Sequence, residues 1–247
     1  MSDAPVFDEF STLPGHLFNS GKQALKFFGY FLNGNTQQLD WVKLKDAVDS
    51  RPDTDMVIEQ YENNQLAQES TSLRTVAEKT AQFLGKVGSG SFDKDWLSDI
   101  IQAGFTRLEQ KEDSGFAHYE KEGDKSAFTY RLVFEAPNPD IPSDFYALVV
   151  THKLIADITE KSDWFGLGPD STQNFSAEVN AMRLACNENF VAGPKPTCIP
   201  DWQDEITKDC QIELESRCIM KQNKYFPSCV PYSYEFHQGF PTPKHIY

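Results

Sequence analysis

The segment DFYALVVTHKLIADI at 144–158 constrains the fold more than any other part of the chain. Its residues alternate between two faces, as they do in a β-strand. One face is largely apolar and consists of Tyr146, Leu148, Val150, His152, Leu154, Ala156 and Ile158. The other face starts apolar and becomes polar at Thr151 and Lys153. A strand of this length is about twice the usual 5–6 residues, so a long apolar face needs a cover in water.

Further strands are predicted on both sides of this segment. The segment 126–136 places Phe128, Tyr130, Leu132, Phe134 and Ala136 on one face. The segment 172–185 alternates Phe175, Ala177, Val179 and Ala181 in the same way. A shorter strand is predicted at 54–62, where the alternation is weaker. From residue 113 onward the period is two, which predicts a run of long antiparallel strands.

The first half of the chain shows the helical period instead. A helix is predicted at 21–32, with Ser20 as its cap, and a shorter one at 40–49. The two clearest helices are predicted at 72–87 and 93–108, each with a single apolar stripe.

The link between the two clearest helices is the short sequence GSGS at 88–91. A link of this length predicts an antiparallel helix pair, with Ser91 or Asp93 capping the second helix. Helices followed by long strands predict an α+β fold in which the helices pack on the sheet.

Charge and hydropathy limit the partners. The formal net charge is −14, from 37 acidic and 23 basic residues, which argues against nucleic acid and against simple adsorption to anionic lipid. Binding to a membrane would then come from apolar burial or from zwitterionic headgroups. No apolar run is long enough for a transmembrane helix. The first residues, MSDAPVFDEFSTLPG, do not resemble a signal peptide, so we expect storage in the cell or release by a non-classical route.

The cysteines divide the chain. Residues 1–185 contain none, and the last 62 residues contain five of them and half of the prolines. We therefore expect a folded domain at 1–190 and a Cys/Pro-rich extension at 191–247. Its four cysteines could form disulfides in three connectivities or stay reduced, and they are Cys198, Cys210, Cys218 and Cys229. Cys186, on the last long strand, would then be the odd thiol.

Motifs for catalysis are absent from the sequence. It contains no phosphate-binding loop, no nucleophile elbow and no metal-ligand spacing, so neither a metal site nor a cofactor is predicted. His118 and His152 form the only plausible pair, on strands that could be adjacent, and ordinary sheet residues are the simpler interpretation. Trp164 and Phe165 fit either a buried loop anchor or an exposed tip that touches a membrane.

The order of these elements resembles a known family. Four phrases carry the resemblance: TVAEKTAQFLGKVGSGSFDKDWLSDIIQAGFTRL, SAFTYRLVFEAPN, DFYALVVTHKLIADI and NFSAEVNAMRLA. Together they look like the Cyt-type cytolytic delta-endotoxins and their fungal relatives such as volvatoxin, over roughly residues 20–185. The resemblance implies a single domain with a mostly antiparallel sheet between two layers of helices. It also implies cytolytic activity without a cofactor and trimming of the chain at its ends.

The resemblance assigns roles to the predicted elements. The helix layers would swing away from the sheet at a zwitterionic target-cell membrane, to form an oligomeric pore or to disrupt lipid like a detergent. Lipid-facing strand positions would be Phe128, Tyr130, Leu132, Phe134, Tyr146, Leu148, Val150 and Leu154. Covering positions on helices would be Leu25, Phe28, Phe83, Leu84, Trp96, Ile100 and Phe105.

Two other functions stay open at this point. The first is a non-lytic soluble binding or storage protein that keeps the same fold without opening. The second is a lipid-modifying enzyme or hydrolase that uses His118 and His152.

Overall fold

The computed structural model describes residues 7–33, 38–51, 54–67, 70–194, 234–237 and 240–243. The chain divides into two compact units, Met1–Lys195 and Pro196–Tyr247. The first unit holds the large sheet and its helices. In the second unit, strands β9 and β10 (Tyr234–His237 and Phe240–Pro243) pair with each other in the antiparallel direction. The predicted disulfide cysteines Cys198, Cys210, Cys218 and Cys229 lie outside the described residues.

Capping side chains set the starts of the main helices. The helices are α1 Phe18–Gly29, α2 Trp41–Asp49, α3 Leu73–Val87, α4 Lys94–Phe105, α5 Leu108–Asp113 and α6 Lys161–Phe165. Asp40, Ser72 and Asp93 each accept a hydrogen bond from the backbone N–H three residues further on, which is the usual N-cap geometry. The prediction of a cap at Asp93 is therefore confirmed.

The first helix begins earlier than predicted. Leu17 occupies its N-cap position without a side-chain bond, and Ser20 lies inside the first turn. The Ser20 hydroxyl donates instead to the backbone carbonyl of Glu188. The predicted Ser20 cap is wrong because a long-range partner takes the hydroxyl, which local sequence cannot reveal.

The large sheet is mostly antiparallel, as predicted. Its strands are β1 Asp8–Ser11, β2 Met56–Ala67, β4 Ala117–Glu122, β5 Lys125–Pro137, β6 Asp144–Ala156 and β8 Ser176–Asn187. The order is β1-β5-β6-β8-β2, and β4 also pairs with β5. Because β6 takes one side of β5, the short strands β4 and β1 share its other side, and β1 runs parallel to it.

The strand register separates the sheet into two faces. We call front face the side that carries Tyr130, His152 and Val179, which are register partners on β5, β6 and β8. We call back face the side that carries Thr129 and Lys153. Helices α3 and α4 pack on the front face in one buried cluster. Helices α1 and α2 lie on the back face, where the Trp41 ring is 5.4 Å from that of Tyr61.

Short elements tie the helix pair and the sheet together. Strands β3 (Thr71–Ser72) and β7 (Thr172–Gln173) pair immediately before α3 and before β8. Trp164 on α6 is buried, and its Nε1 donates to the Ser126 hydroxyl at 2.8 Å. Ser126 in turn donates to the carbonyl of Ile158. Trp164 is thus a buried anchor, and Phe165 is half-buried against the same core.

Candidate functional site

The front face is a continuous apolar surface on three adjacent strands. Leu132 lies opposite Val150 and Phe134 lies opposite Leu148, so the apolar positions of β5 and β6 form rows across the sheet. All eight strand positions predicted to face lipid lie on this face. Seven of them are fully or almost fully buried, and Tyr146 is half-buried.

The cover of the front face comes from α3, α4 and the link between them. The rings of Phe92 and Trp96 lie 6.5 and 5.5 Å from the ring of Phe134. Gly104 on α4 packs directly on the Tyr130 ring, where a Cβ would clash. The α3–α4 layer therefore packs closely on the front face, through aromatic rings at one end and a glycine contact at the other.

The residues predicted to cover the strands fall into two groups. Phe83, Leu84 and Phe105 are buried in the front-face cluster, and Trp96 and Ile100 are partly buried against it. Leu25 and Phe28 are buried in α1 and do not belong to this cluster. They cover the back face of the sheet. The sequence could not predict this, because an apolar stripe does not specify which face of a sheet a helix occupies.

Two polar side chains of the front face, on β6 and β5, are register partners of each other. His152 is fully buried, its Nε2 lies 3.1 Å from the Thr80 hydroxyl of α3, and its ring centroid lies 4.6 Å from that of Phe105 on α4. Its Nδ1 has no hydrogen-bond partner. Burial lowers the pKa of His152 to about 3, which keeps the ring neutral. Tyr130 on β5 is its register partner.

The Tyr130 hydroxyl belongs to a cluster at the edge of the sheet. It donates to Asp8 on β1, and the Lys111 ammonium of α5 binds the same carboxylate. Burial, followed by the Asp8 charge and hydrogen bond, raises the pKa of Tyr130. The cluster joins the N-terminal strand, the sheet and α5. Sequence reasoning missed it because β1 has only 4 residues and pairs with a strand more than 100 positions away.

The back face is apolar at one end and polar at the other. At the apolar end Met182 pairs with Val149, and Phe145 pairs with Cys186, a buried free cysteine. At the polar end two rows cross the sheet. They consist of Asn63, Asn180 and Thr151, and of Gln65, Glu178 and Lys153. The polar change read from the 144–158 segment thus continues across β8 and β2.

Helix α1 closes the apolar end of the back face over a buried carboxyl. A Cβ on Gly21 would lie 2.7 Å from Glu135 Oε2, so a larger residue here would require the Glu135 side chain to shift. Glu135 is 1% exposed, and its Oε1 has no hydrogen-bond partner. Burial, then the charge of Glu9, raises the pKa of Glu135 to about 7, while Ser11 and Lys22 act in the opposite direction.

His118 and His152, the possible pair in the sequence, do not lie together in the sheet. His118 lies opposite Thr129 and so belongs to the back face, whereas His152 belongs to the front face. Their strands are also separated by β5. The register places the two histidines on opposite sides of the sheet, which contradicts the alternative that they act together and agrees with their interpretation as ordinary sheet residues.

Metal and membrane-span features are missing from the described part of the chain. Within it, no group of three His, Cys, Asp or Glu side chains is arranged to hold a metal ion. None of the helices described is long and apolar enough to cross a bilayer. Among the described residues, the most extensive candidate for a functional surface is the front face, which α3 and α4 cover.

Comparison with known proteins places this architecture. No protein-family model matches the chain, and no curated protein matches its sequence. A solved structure described as a delta-endotoxin superposes with a TM-score of 0.67 at 13% identity, covering 77% of this chain and 90% of that one. The activated Cyt2Ba monomer from Bacillus thuringiensis subsp. israelensis gives 0.65 at 12% identity, covering 74% and 98%. The resemblance inferred from sequence is confirmed at the level of the fold: this chain has the fold of the Cyt delta-endotoxins.

Proposed function

We propose that this protein is a membrane-permeabilising, cytolytic protein that acts by opening the α3–α4 layer and presenting the front face to lipid. The observation that carries the proposal is a largely apolar face on 12- and 13-residue strands, hidden beneath a helix pair with a short link. The fold shared with delta-endotoxins supports it.

The strand lengths suit a lipid environment. A strand that crosses the hydrocarbon layer needs about 9–11 residues. β5 and β6 have 13 residues each, and β8 has 12. Their front-face side chains are Phe, Leu, Val, Ala and Tyr along most of this length, which hydrocarbon accepts at little cost.

The helix pair is attached in a way that would permit opening. Its link makes a tight turn, with positive φ at Ser89 and Gly90. The start of α3 is held by backbone bonds from Leu73 to Ser171 and from Arg74 to Pro169. Elsewhere the layer rests on the front face mainly through apolar side chains, at about 25 cal/mol per Å² buried. A lipid surface can replace these contacts, whereas water cannot.

The preferred lipid in this proposal is zwitterionic. A net charge of −14 repels anionic headgroups, so insertion would depend on apolar burial. We propose further that copies associate on the membrane, that the target is another cell, and that the protein reaches it from storage or by non-classical release. We also propose that no catalytic step is involved, since the only candidate pair of histidines is split between the two faces.

A reversible tether tests the opening step. Arg183 on β8 donates to the Gly88 carbonyl at the end of α3 at 3.1 Å, so position 183 lies beneath the link. Ser89→Cys and Arg183→Cys, in a background without the native cysteines, can be joined by a short bis-maleimide that contains a cleavable disulfide. We expect dye release from phosphatidylcholine vesicles to stop when the tether is intact and to return after reduction.

The same molecule before and after cleavage is its own control, and the single-cysteine variants control for the substitutions. Leakage that continues at the same rate with the tether intact would contradict opening of this layer. Absence of leakage in every state, including the unmodified protein, would contradict the cytolytic function and favour a soluble binding or storage protein with the same fold.

A further inference from the structure

His152 lies at the contact between the α3–α4 layer and the sheet, and the proposed function gives it no role. It is the central polar group of the front face, enclosed by Thr80 of α3 and Phe105 of α4. Its neighbours across the strands are Tyr130 on β5 and Val179 on β8. Every element that covers this ring therefore belongs either to the sheet or to the layer proposed to move.

No charged group compensates a proton on this ring. The charged side chains of α3, namely Arg74, Glu78, Lys79 and Lys86, are exposed, as are Lys94, Asp95 and Asp99 on α4. The titratable register partner of His152 is Tyr130, whose hydroxyl is already bonded to Asp8. Thr80 can accept one hydrogen bond, and the second ring nitrogen makes no hydrogen bond, although the residue's own backbone partly favours a proton on the ring. An imidazolium would be a buried cation with one of its two donors unsatisfied.

We propose that protonation of His152 releases the α3–α4 layer from the front face, so that mild acid opens this layer while the α1–α2 layer stays in place. In the open form the ring reaches water and accepts a proton, and the Thr80 contact is lost. The closed form excludes the proton. Among the residues that the structure describes, no histidine of the back face lies beneath α1; Glu135, which lies there, responds to pH in the opposite direction.

The sign follows from proton linkage. The pKa of His152 is depressed in the closed form, to about 3, and returns towards 6.5 in the open form. The closed form is therefore favoured fully above pH 6.5, and this preference is lost as the pH falls from 6.5 towards 3. Between pH 7.5 and pH 5 the equilibrium constant for opening should rise about 30-fold.

Hydrogen exchange on the full-length protein, without lipid, measures this opening. We expect protection of the α3 and α4 amides, corrected for the intrinsic pH dependence of exchange, to fall about 30-fold between pH 7.5 and pH 5. The amides of α1 should change much less. His152→Gln, which cannot be protonated, should show no such fall, whatever its absolute protection. His118→Gln is the matched control, because that histidine is partly exposed on the back face, and it should behave like the wild type.

Three results would overturn the proposal. They are constant protection of α3 and α4 in the wild type, an equal fall in α1, and a fall of the same size in His152→Gln. If His152→Gln does not fold, imidazole NMR of the wild type decides. A ring that stays neutral until the layer opens supports the proposal, and a ring that titrates near 6.5 with the layer closed overturns it.

The inference that release of the layer causes leakage rests on the proposed function. Release and leakage are measured separately, so each can be contradicted without the other. Acid-dependent exchange together with acid-stimulated leakage from phosphatidylcholine vesicles supports both. Acid-dependent exchange without leakage at any pH supports the release of the layer and contradicts the cytolytic function.

Discussion

At the residue scale, the fold buries ionisable groups under each helix layer. His152 lies under α3 and α4, and Glu135 lies under α1. Each has one polar atom without a hydrogen-bond partner. The charged form of such a buried group destabilises the fold. Each group therefore makes the stability of its helix layer on the sheet depend on pH.

Glu135 gives the prediction at this scale. Its pKa is raised to about 7, so its neutral form stabilises the fold fully below its unfolded pKa of 4.5. This contribution is lost as the pH rises through about 7. Relative to Glu135→Gln, which stays neutral, the wild-type free energy of unfolding should fall by about 3 kcal/mol between pH 4.5 and pH 7.5.

Urea unfolding at several pH values measures this difference. Glu78→Gln, at an exposed position on α3, is the control and should run parallel to the wild type. A constant difference between the wild type and Glu135→Gln across this range would show that the buried carboxyl ionises as easily as a free one.

At the scale of elements, periodicity located the long strands and the helix pair well. The predicted strands 126–136 and 144–158 are β5 at Lys125–Pro137 and β6 at Asp144–Ala156. The predicted helices 72–87 and 93–108 correspond to α3 and α4, although α4 ends earlier, at Phe105. These elements bury a complete face, so their residue patterns are strong.

Elements defined by distant pairing were harder to predict. β2 continues to Ala67, beyond the predicted 62, because its polar residues pair with β8 at the sheet edge and need no apolar alternation. β8 begins at Ser176 and not at 172, since 172–173 form the separate strand β7. The front-face position of the predicted lipid-facing residues follows from period two. The layer to which each helix belongs does not follow from any local pattern.

The seating of α4 on the sheet gives the prediction at this scale. Gly104→Ala places a methyl group against the Tyr130 ring, and we expect a loss of about 1–3 kcal/mol in unfolding free energy. Alanine is the better helix former by about 1 kcal/mol, so a loss can come only from this contact. Gly15→Ala is the control, since nothing lies within 4 Å of its Cβ, and it should change stability by less than about 0.5 kcal/mol. Equal stabilities of the two variants in urea unfolding would contradict close packing of α4 on β5.

At the scale of the whole molecule, the net charge gives a test of the proposed membrane binding. With a charge of −14, dye release from phosphatidylglycerol vesicles should be slow in 10 mM salt and faster in 150 mM salt, because the screening length falls from about 30 to about 8 Å. Release from phosphatidylcholine vesicles should barely depend on salt. Faster release from phosphatidylglycerol in 10 mM salt would show that a local basic surface, and not net charge, controls binding.

The uneven back face limits how much of the sheet could ever be uncovered. Around Thr151 and Lys153 the front face of the sheet is largely apolar and the back face is polar, so this stretch suits a boundary between hydrocarbon and water. Around Phe145 and Val149 both faces of the sheet are apolar. Removing both helix layers would leave this second stretch with no side for water, so in the proposed opening the α1 layer would remain on the sheet and only the α3–α4 layer would leave.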